Sequence, residues 1–336
     1  MELILIENIK DEEWDNLIGN YGTKSLFHQS VWLKFLEETQ PVKILKFKIC
    51  ENNRIIGYFI GMLEKRGPFK IFSSPRPGCN TPHMGPIVNK NFNQQNFLDV
   101  LDKYCKSQKI DHIEIASRYL EPEIMKNYNF KCQEGITYMV KLSPNEEIMW
   151  KNLKKKSCRY SIHKAEKNGL IVEDTNNSEI IDEYYEQLKE VFGKQKLIPT
   201  YPKERVRFLF NCLKNKNYLF SLWVKYENKI IATGFFPYDN KTVYFFGGAS
   251  WIKYQYLCPN ELLHWTLMKL AAQKGLKYYD MGGAGSFKPK FGGKLTTAYR
   301  YYKSYNPLAG LARTLYQYKF KILQKIKGLK HGKYRK

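Results

Sequence analysis

Two stretches of this chain, "ICENNRIIGYFIGML" (49–63) and "VKYENKIIATGFFPY" (224–238), constrain its fold more than any other feature. Each reads as a strand, a polar Glu-Asn turn and a second strand rich in β-formers, which is the pattern of a hairpin. Their surroundings repeat as well. A helical stretch precedes each hairpin, "SVWLKFLEE" in one case and "YPKERVRFLFNCLKN" in the other. A second helical pattern follows, "QQNFLDVLDKYCKSQK" or "NELLHWTLMKLAAQKG". Each then runs into a short β-like segment with an acid near its end, "IDHIEIAS" or "LKYYDMGG". The order helix, hairpin, strand, helix, strand thus occurs twice, about 170 residues apart, the mark of an internal duplication. It predicts an α/β protein of two units, each a mixed sheet flanked by helices.

The pattern breaks at "LSPNEE", which sets expected domains at residues 1–142 and 143–305. After the break, "IMWKNLKKKSCRYSIHKAEKNG" reads as one basic helix, with Ser143 and Glu146 as a capping box and Gly169 at its end. Residues 306–336 differ again. From Leu311 onward there are nine Lys or Arg and no acid, and Leu311, Leu315, Leu323 and Ile326 recur at near-helical spacing. This predicts a basic amphipathic C-terminal tail that lies in a membrane interface. The plain alternative packs Leu315, Phe320 and Leu323 on the second domain.

Composition narrows the partners. The formal net charge of +23 favours nucleic acid, phosphorylated substrates or an anionic membrane surface. A hydrophobic fraction of 43% supports a sizeable core and excludes a disordered chain. The seven cysteines show no C-x-x-C spacing, which reads as reduced, mostly buried thiols in a cytoplasmic protein. The six histidines show no H-x-x-x-H pattern, so no metal site is expected. "MELILIENIKDEEW" lacks the basic and apolar regions of a signal peptide, and no apolar run reaches the roughly 18 residues of a membrane span. Membrane contact is therefore expected to be peripheral.

Several stretches together resemble the FemABX peptidyltransferases and their GNAT-like relatives, many of which serve cell-wall or surface-polysaccharide synthesis. "WKNLKKKSCRYSIHKAEKNGLIVE" resembles the helix that opens the second domain of that family. "CPNELLHWTLMKLAAQKGLKYYDMGG" is similar to its helix and strand, and "FKPKFGG" matches its F-K-x-x-F-G signature at Phe287, Lys288, Phe291 and Gly292. "LFHQSVWLKF" and "MGPIV" are similar to its first-domain segments. The resemblance implies tandem GNAT-like domains, with the first on the acceptor side and the second catalytic. It implies acyl transfer to an amine of an envelope precursor, a nucleotide- or lipid-linked sugar. The donor would be aminoacyl-tRNA or acyl-CoA, a co-substrate rather than a tightly bound cofactor. The long coiled-coil arm of some members has no room between Lys154 and Gly169.

"YYDMGGAGSFKPKFGGK" is the candidate reaction loop. It lacks G-x-x-x-x-G-K-[ST], so it is no P-loop, and Pro289 argues against a dinucleotide fingerprint at Gly282, Gly283 and Gly285. Glycines at a strand end let backbone approach a substrate closely. By resemblance Lys288 lies at the reaction centre, where a cation stabilises the developing oxyanion, and Phe287 excludes water and holds the lysine stem. Asp280 acts as a base or orients the acceptor amine. Its alternative role is to bond loop amides. No Ser-His-Asp or Cys-His set is legible, which favours direct attack by a positioned amine. Arg159 and Lys164 match the family's R-x-x-I-x-x-A segment and suit the phosphates of a tRNA or nucleotide-sugar. Gln29, Trp32 and Lys34 match the first-domain segment. The Q/R-x-x-G-x-G/A pyrophosphate loop of standard GNAT domains is missing from both halves. The rival class is a non-catalytic RNA-binding or membrane-surface scaffold.

Overall fold

The structure, a computed structural model, describes residues 1–89, 92–194, 196–316 and 318. Its first half runs β1 (Glu2–Ile6), α1 (Asp11–Ile18), α2 (Ser30–Thr39), β2 (Lys43–Glu51), β3 (Arg54–Arg66), β4 (Phe69–Ser74) and β5 (Pro86–Val88). It continues with α3 (Gln94–Ser107), β6 (His112–Ser117), α4 (Pro122–Asn127) and β7 (Lys131–Lys141). The second half runs α5 (Glu146–Asn152), α6 (Tyr160–Lys167), β8 (Ile171–Asp174), α7 (Glu179–Gly193), α8 (Lys203–Leu213), β9 (Leu219–Tyr226) and β10 (Lys229–Pro237). It closes with β11 (Thr242–Tyr244), β12 (Gly247–Ser250), α9 (Pro259–Gln273), β13 (Tyr278–Asp280) and β14 (Lys294–Ser304).

The two hairpins stand where the repeat predicts them, as β2–β3 and β9–β10. Their turns use Asn52 and Asn53 in one case and Glu227 and Asn228 in the other, all at positive φ. Two successive left-handed residues give a turn whose twist matches the strands it joins. In each half a helix then crosses over to a parallel strand. α3 leads to β6 beside β4, and α9 leads to β13 beside β11.

The halves exchange their last strands. β14 of the second half lies between β6 and β7 of the first, antiparallel to both. β7 in turn pairs with β13 of the second half. A ten-stranded sheet results, in the order β1-β2-β3-β4-β6-β14-β7-β13-β11, with β5 on β3. A separate four-stranded sheet follows the order β12-β10-β9-β8. Each half keeps an apolar cluster of its own, around Phe47, Phe59, Phe72 and Phe97 in the first and around α9 and Tyr279 in the second. A third cluster joins them, with Trp14, Phe27, Trp32 and Phe35 against Tyr184, Phe210, Phe235 and Phe246. Each fully buried aromatic ring here contributes about 2–3 kcal/mol of hydrophobic stabilisation.

Four local expectations are corrected. The basic helix is broken. α5 ends at Asn152, Leu153 and Lys154 are extended, and a wide turn at Lys155–Arg159 leads into α6. The Lys154 N–H is drawn out of the helix to the Lys290 carbonyl, at 2.9 Å. Asn145, not Ser143, caps α5, because it stands directly before the helix and accepts the Glu147 N–H at 2.9 Å. Ser143 Oγ instead accepts the Asn145 N–H. Three cysteines are buried rather than most of them (Cys79, Cys105 and Cys158), while Cys132 is exposed. Leu315 does not pack on the second domain. In the helical segment 307–316, Leu308, Leu311 and Leu315 are 65%, 56% and 61% exposed. Phe320 and Leu323 lie outside the described residues.

Candidate active site

β13 is only three residues long, and its alternation places two groups of opposite character. Tyr279 turns into the core and its hydroxyl bonds His264 Nδ1 at 2.8 Å. Asp280 turns the other way, 3% exposed, where its carboxylate accepts from Arg118 Nη2 (2.6 Å), from Thr137 Oγ1 and from the Gly282 N–H (2.9 Å). Arg118 follows β6 and Thr137 lies on β7, so this carboxylate ties both first-half strands to the second-half loop.

β11 ends beside Asp280. The last bond between them runs from the Phe245 N–H to the Asp280 carbonyl, at 2.9 Å. One residue on, the Phe246 N–H bonds Phe235 of β10 instead, and β12 joins the smaller sheet. The strands part at this point and leave a wedge. A cavity of about 220 Å³ opens there, lined by Phe245, Ala249, Asn260, His264, Phe287 and Lys288 among others. A second cavity, of about 390 Å³, lies between the halves against Phe27, Trp32, Tyr244, Phe245, Asp280 and Gly282. Phe245 is a wall of both.

The loop from Asp280 to Gly292 runs beside both cavities. Gly282 sits at φ +64, a conformation that side-chain-bearing residues adopt at a cost. Lys288 Nζ donates to the carbonyls of Gly282 (2.6 Å) and Gly283 (3.1 Å). Burial lowers the Lys288 pKa and the Asp280 charge opposes that shift. A lysine ammonium has three donors, and two are used here. Phe287 packs edge-tilted on His264 and Phe291. Gly292 ends the short turn at φ +77, where a Cβ would lie 2.7 Å from the Asn152 carbonyl oxygen.

The loop therefore brings Lys288, Phe287, Asp280, Gly282, Gly283, Phe291 and Gly292 together. Trp32 joins them across the second cavity, its Nε1 bonded to Thr81 Oγ1 at 3.0 Å. Gln29, buried, stands at the N-cap position of α2 without a side-chain capping bond and lines neither cavity, and Lys34 is exposed on α2 outside either cavity. Arg159 lines a separate cavity on the outer side of α5 and α6, and Lys164 sits further along α6. Sequence reasoning missed Arg118, Thr137, Phe245 and His264. Only tertiary pairing brings the first two to Asp280. His83 was missed as well; burial holds its pKa well below the ordinary value, and its Nδ1 has no hydrogen-bond partner among the described residues.

Residues 153–303 match the acetyltransferase (GNAT) domain family. The class this fold defines is that of tandem GNAT-fold proteins. The GNAT match covers the second half of the chain, and the whole chain shares its fold with solved structures of this architecture. It is similar in fold to FemX, with a TM-score of 0.74 and 15% identity over 93% of this chain and 99% of that one. The C-terminal domain of a protein named as a lysylphosphatidylglycerol synthetase from Agrobacterium fabrum superposes at 0.59, with 12% identity over 91% and 96%. A tandem GNAT protein from the clavulanic acid biosynthesis pathway gives 0.56, with 6% identity over 90% and 98%. At such identities the likeness is one of fold. No curated protein matches the chain in sequence. No helix among the described residues is long and apolar enough to cross a membrane.

Proposed function

We propose that this chain is an N-acyltransferase that forms an amide on an amino group of a cell-envelope precursor, a peptidoglycan or surface-polysaccharide intermediate carried on a nucleotide or a lipid. The donor is an aminoacyl-tRNA or an acyl-CoA. In this reading residues 1–142 form the acceptor side, 143–305 the catalytic side and 306–336 a membrane-facing tail. One observation carries it: two cavities share Phe245 and flank one loop, with Lys288 on the wedge side and Asp280 on the other. The names of two fold relatives, FemX and a lysylphosphatidylglycerol synthetase, favour an aminoacyl group and an envelope acceptor.

The donor's acyl carbon sits at the inner end of the wedge and the acceptor amine enters past Trp32 and Asp280. The amine nitrogen attacks the acyl carbon and a C–N bond forms. The carbonyl oxygen takes the negative charge beside Lys288 Nζ, a half-buried cation already fixed by its own loop. Collapse expels the thiolate of CoA or the ribose oxygen of tRNA, which takes up the proton the amine loses. Asp280 holds Arg118 and the Gly282 amide in place and orients the amine with the one remaining lone pair, on Oδ2.

The test is mass spectrometry of envelope precursors from cells with and without the intact chain, followed by transfer to the missing acceptor with purified protein. The expected result is loss of one acyl or aminoacyl group from one precursor. Identical precursor spectra in both strains would overturn the proposal.

A further inference from the structure

We propose that the cavity on the outer side of α5 and α6 binds a nucleobase together with its phosphates, supplied by the donor of the transfer above; it rests on that reading for its role, but not for its existence. The cavity, of about 500 Å³, is lined by Trp150, Lys155, Lys156, Arg159, Tyr160 and His163. That volume is within the range of small-molecule sites.

The broken helix builds it. Leu153, 1% exposed, anchors the extended link after α5. The turn that follows is wide, because the Arg159 N–H bonds the Lys154 carbonyl and the Tyr160 N–H bonds that of Lys155, each five residues back. Residues five apart are then brought over one another, so Lys155 comes beneath Tyr160. Trp150 is fixed from behind by Trp265, with ring centroids 5.2 Å apart, and meets His163 at 4.9 Å. Tyr160 is 65% exposed, and its side chain has no ring or hydrogen-bond partner among the described residues.

Charge points to the occupant. Lys155 and Lys156 form no ion pair among the described residues, and Arg159 spends only its Nε, on the Leu153 carbonyl at 3.1 Å. Glu166 touches His163 at 3.3 Å but does not line the cavity. A solvated surface helix has no need to gather three rings between three unpaired cations. Flat rings for stacking and cations for phosphate are what a single nucleotide unit offers to bind. The site is also coupled to the reaction loop, since the Lys154 N–H is bonded to Lys290 within the turn that carries Lys288.

Two donors carry this chemistry, the single-stranded 3′ end of an RNA and the adenosine phosphates of coenzyme A. The full chain is titrated with three probes: a dye-labelled single-stranded RNA ending in CCA, coenzyme A, and inorganic tripolyphosphate as a charge-only control. Tyr160→Ala, an exposed change, should weaken the nucleotide probe roughly tenfold and leave tripolyphosphate binding unchanged. Lys155→Gln with Lys156→Gln should lower the salt slope for the RNA by about 1.4, at about 0.7 per phosphate contact on a single strand. An effect on the RNA alone identifies RNA as the source, and an effect on coenzyme A alone identifies the cofactor-like donor. Unchanged affinity of both variants for both nucleotide probes, or no wild-type binding of either, overturns the site. An active transferase with that result keeps the proposed function and loses this site; nucleotide binding through the patch with no transfer to any amine does the opposite.

Discussion

Lys288 holds two carbonyls of its own loop and faces the wedge, so its structural and catalytic roles have to be separated by measurement. With the oxyanion role, Lys288→Ala lowers turnover by about 10²- to 10³-fold with an unchanged unfolding midpoint. A variant that loses stability yet turns over normally makes Lys288 a loop clamp and nothing more. Arg118 is a cleaner case. Its removal leaves the Asp280 carboxylate, 3% exposed, short of its charged donor. Arg118→Ala should cost about 2 kcal/mol in urea unfolding, the range for a hydrogen bond to a charged group. Lys288 was legible because a six-residue motif surrounds it, whereas nothing near "IASRYL" marks Arg118 as the partner of an acid 162 positions away.

Single elements show where periodicity succeeds and where contact overrides it. Each hairpin and crossover helix is a local pattern, and all stand as read. The helix after "LSPNEE" reads as continuous because its apolar and basic residues keep helical spacing, yet a backbone bond from Lys154 to Lys290 breaks it. Gly292 governs the entry to β14. Gly292→Ala combines positive-φ strain with a clash against the Asn152 carbonyl, and should destabilise the chain by about 1–3 kcal/mol in denaturant titration. In the segment 307–316, Arg313 Nε bonds Glu114 at 2.6 Å and Ala309 is buried, which leaves Leu308, Leu311 and Leu315 outward at spacings of three and four. That stripe, continued by a tail with no acid, suits an anionic membrane surface, where each Lys or Arg adds about 1 kcal/mol. Leu311→Gln with Leu315→Gln should abolish flotation with anionic vesicles. Equal flotation of variant and wild type counts against membrane anchoring.

On the scale of the whole molecule, strand exchange makes the halves interdependent. Residues 1–142 alone would leave β6 with an open edge and β7 with no strand partner at all, since both of its neighbours, β14 and β13, come from the second half. Such a fragment should fail to fold, and the intact chain should unfold in one transition by both tryptophan fluorescence and far-UV circular dichroism. Two separate transitions would show that the halves fold independently. Acid acts through buried histidines. Burial lowers His28 to about 4 and His264 to about 3, the latter helped by the charges of Lys290 and Lys288. Both folded values lie below the unfolded value near 6.5, so the unfolded chain binds more protons as pH falls through that window. Stability should therefore drop from pH 6.5 downward, by about 2 kcal/mol per buried histidine at pH 5. A melting temperature that stays level between pH 7.5 and 5.0 contradicts this.

What the sequence determined by itself is local or repeated: two hairpins, two crossover helices, the glycine-bearing loop and its lysine, the basic stretch after residue 153. Such features are set by side-chain periodicity, by turns that need positive φ and by short motifs, all of which a few neighbouring residues encode. The tertiary structure decided the rest. β14 enters the first-half sheet because β6 and β7 each present an unpaired edge there, and that pairing brings Arg118 and Thr137 to Asp280. The wedge exists because the chain leaves one sheet for the other at Phe245. Pairings between strands far apart in the chain depend on which edges the other strands leave free, and no local run of residues carries that information.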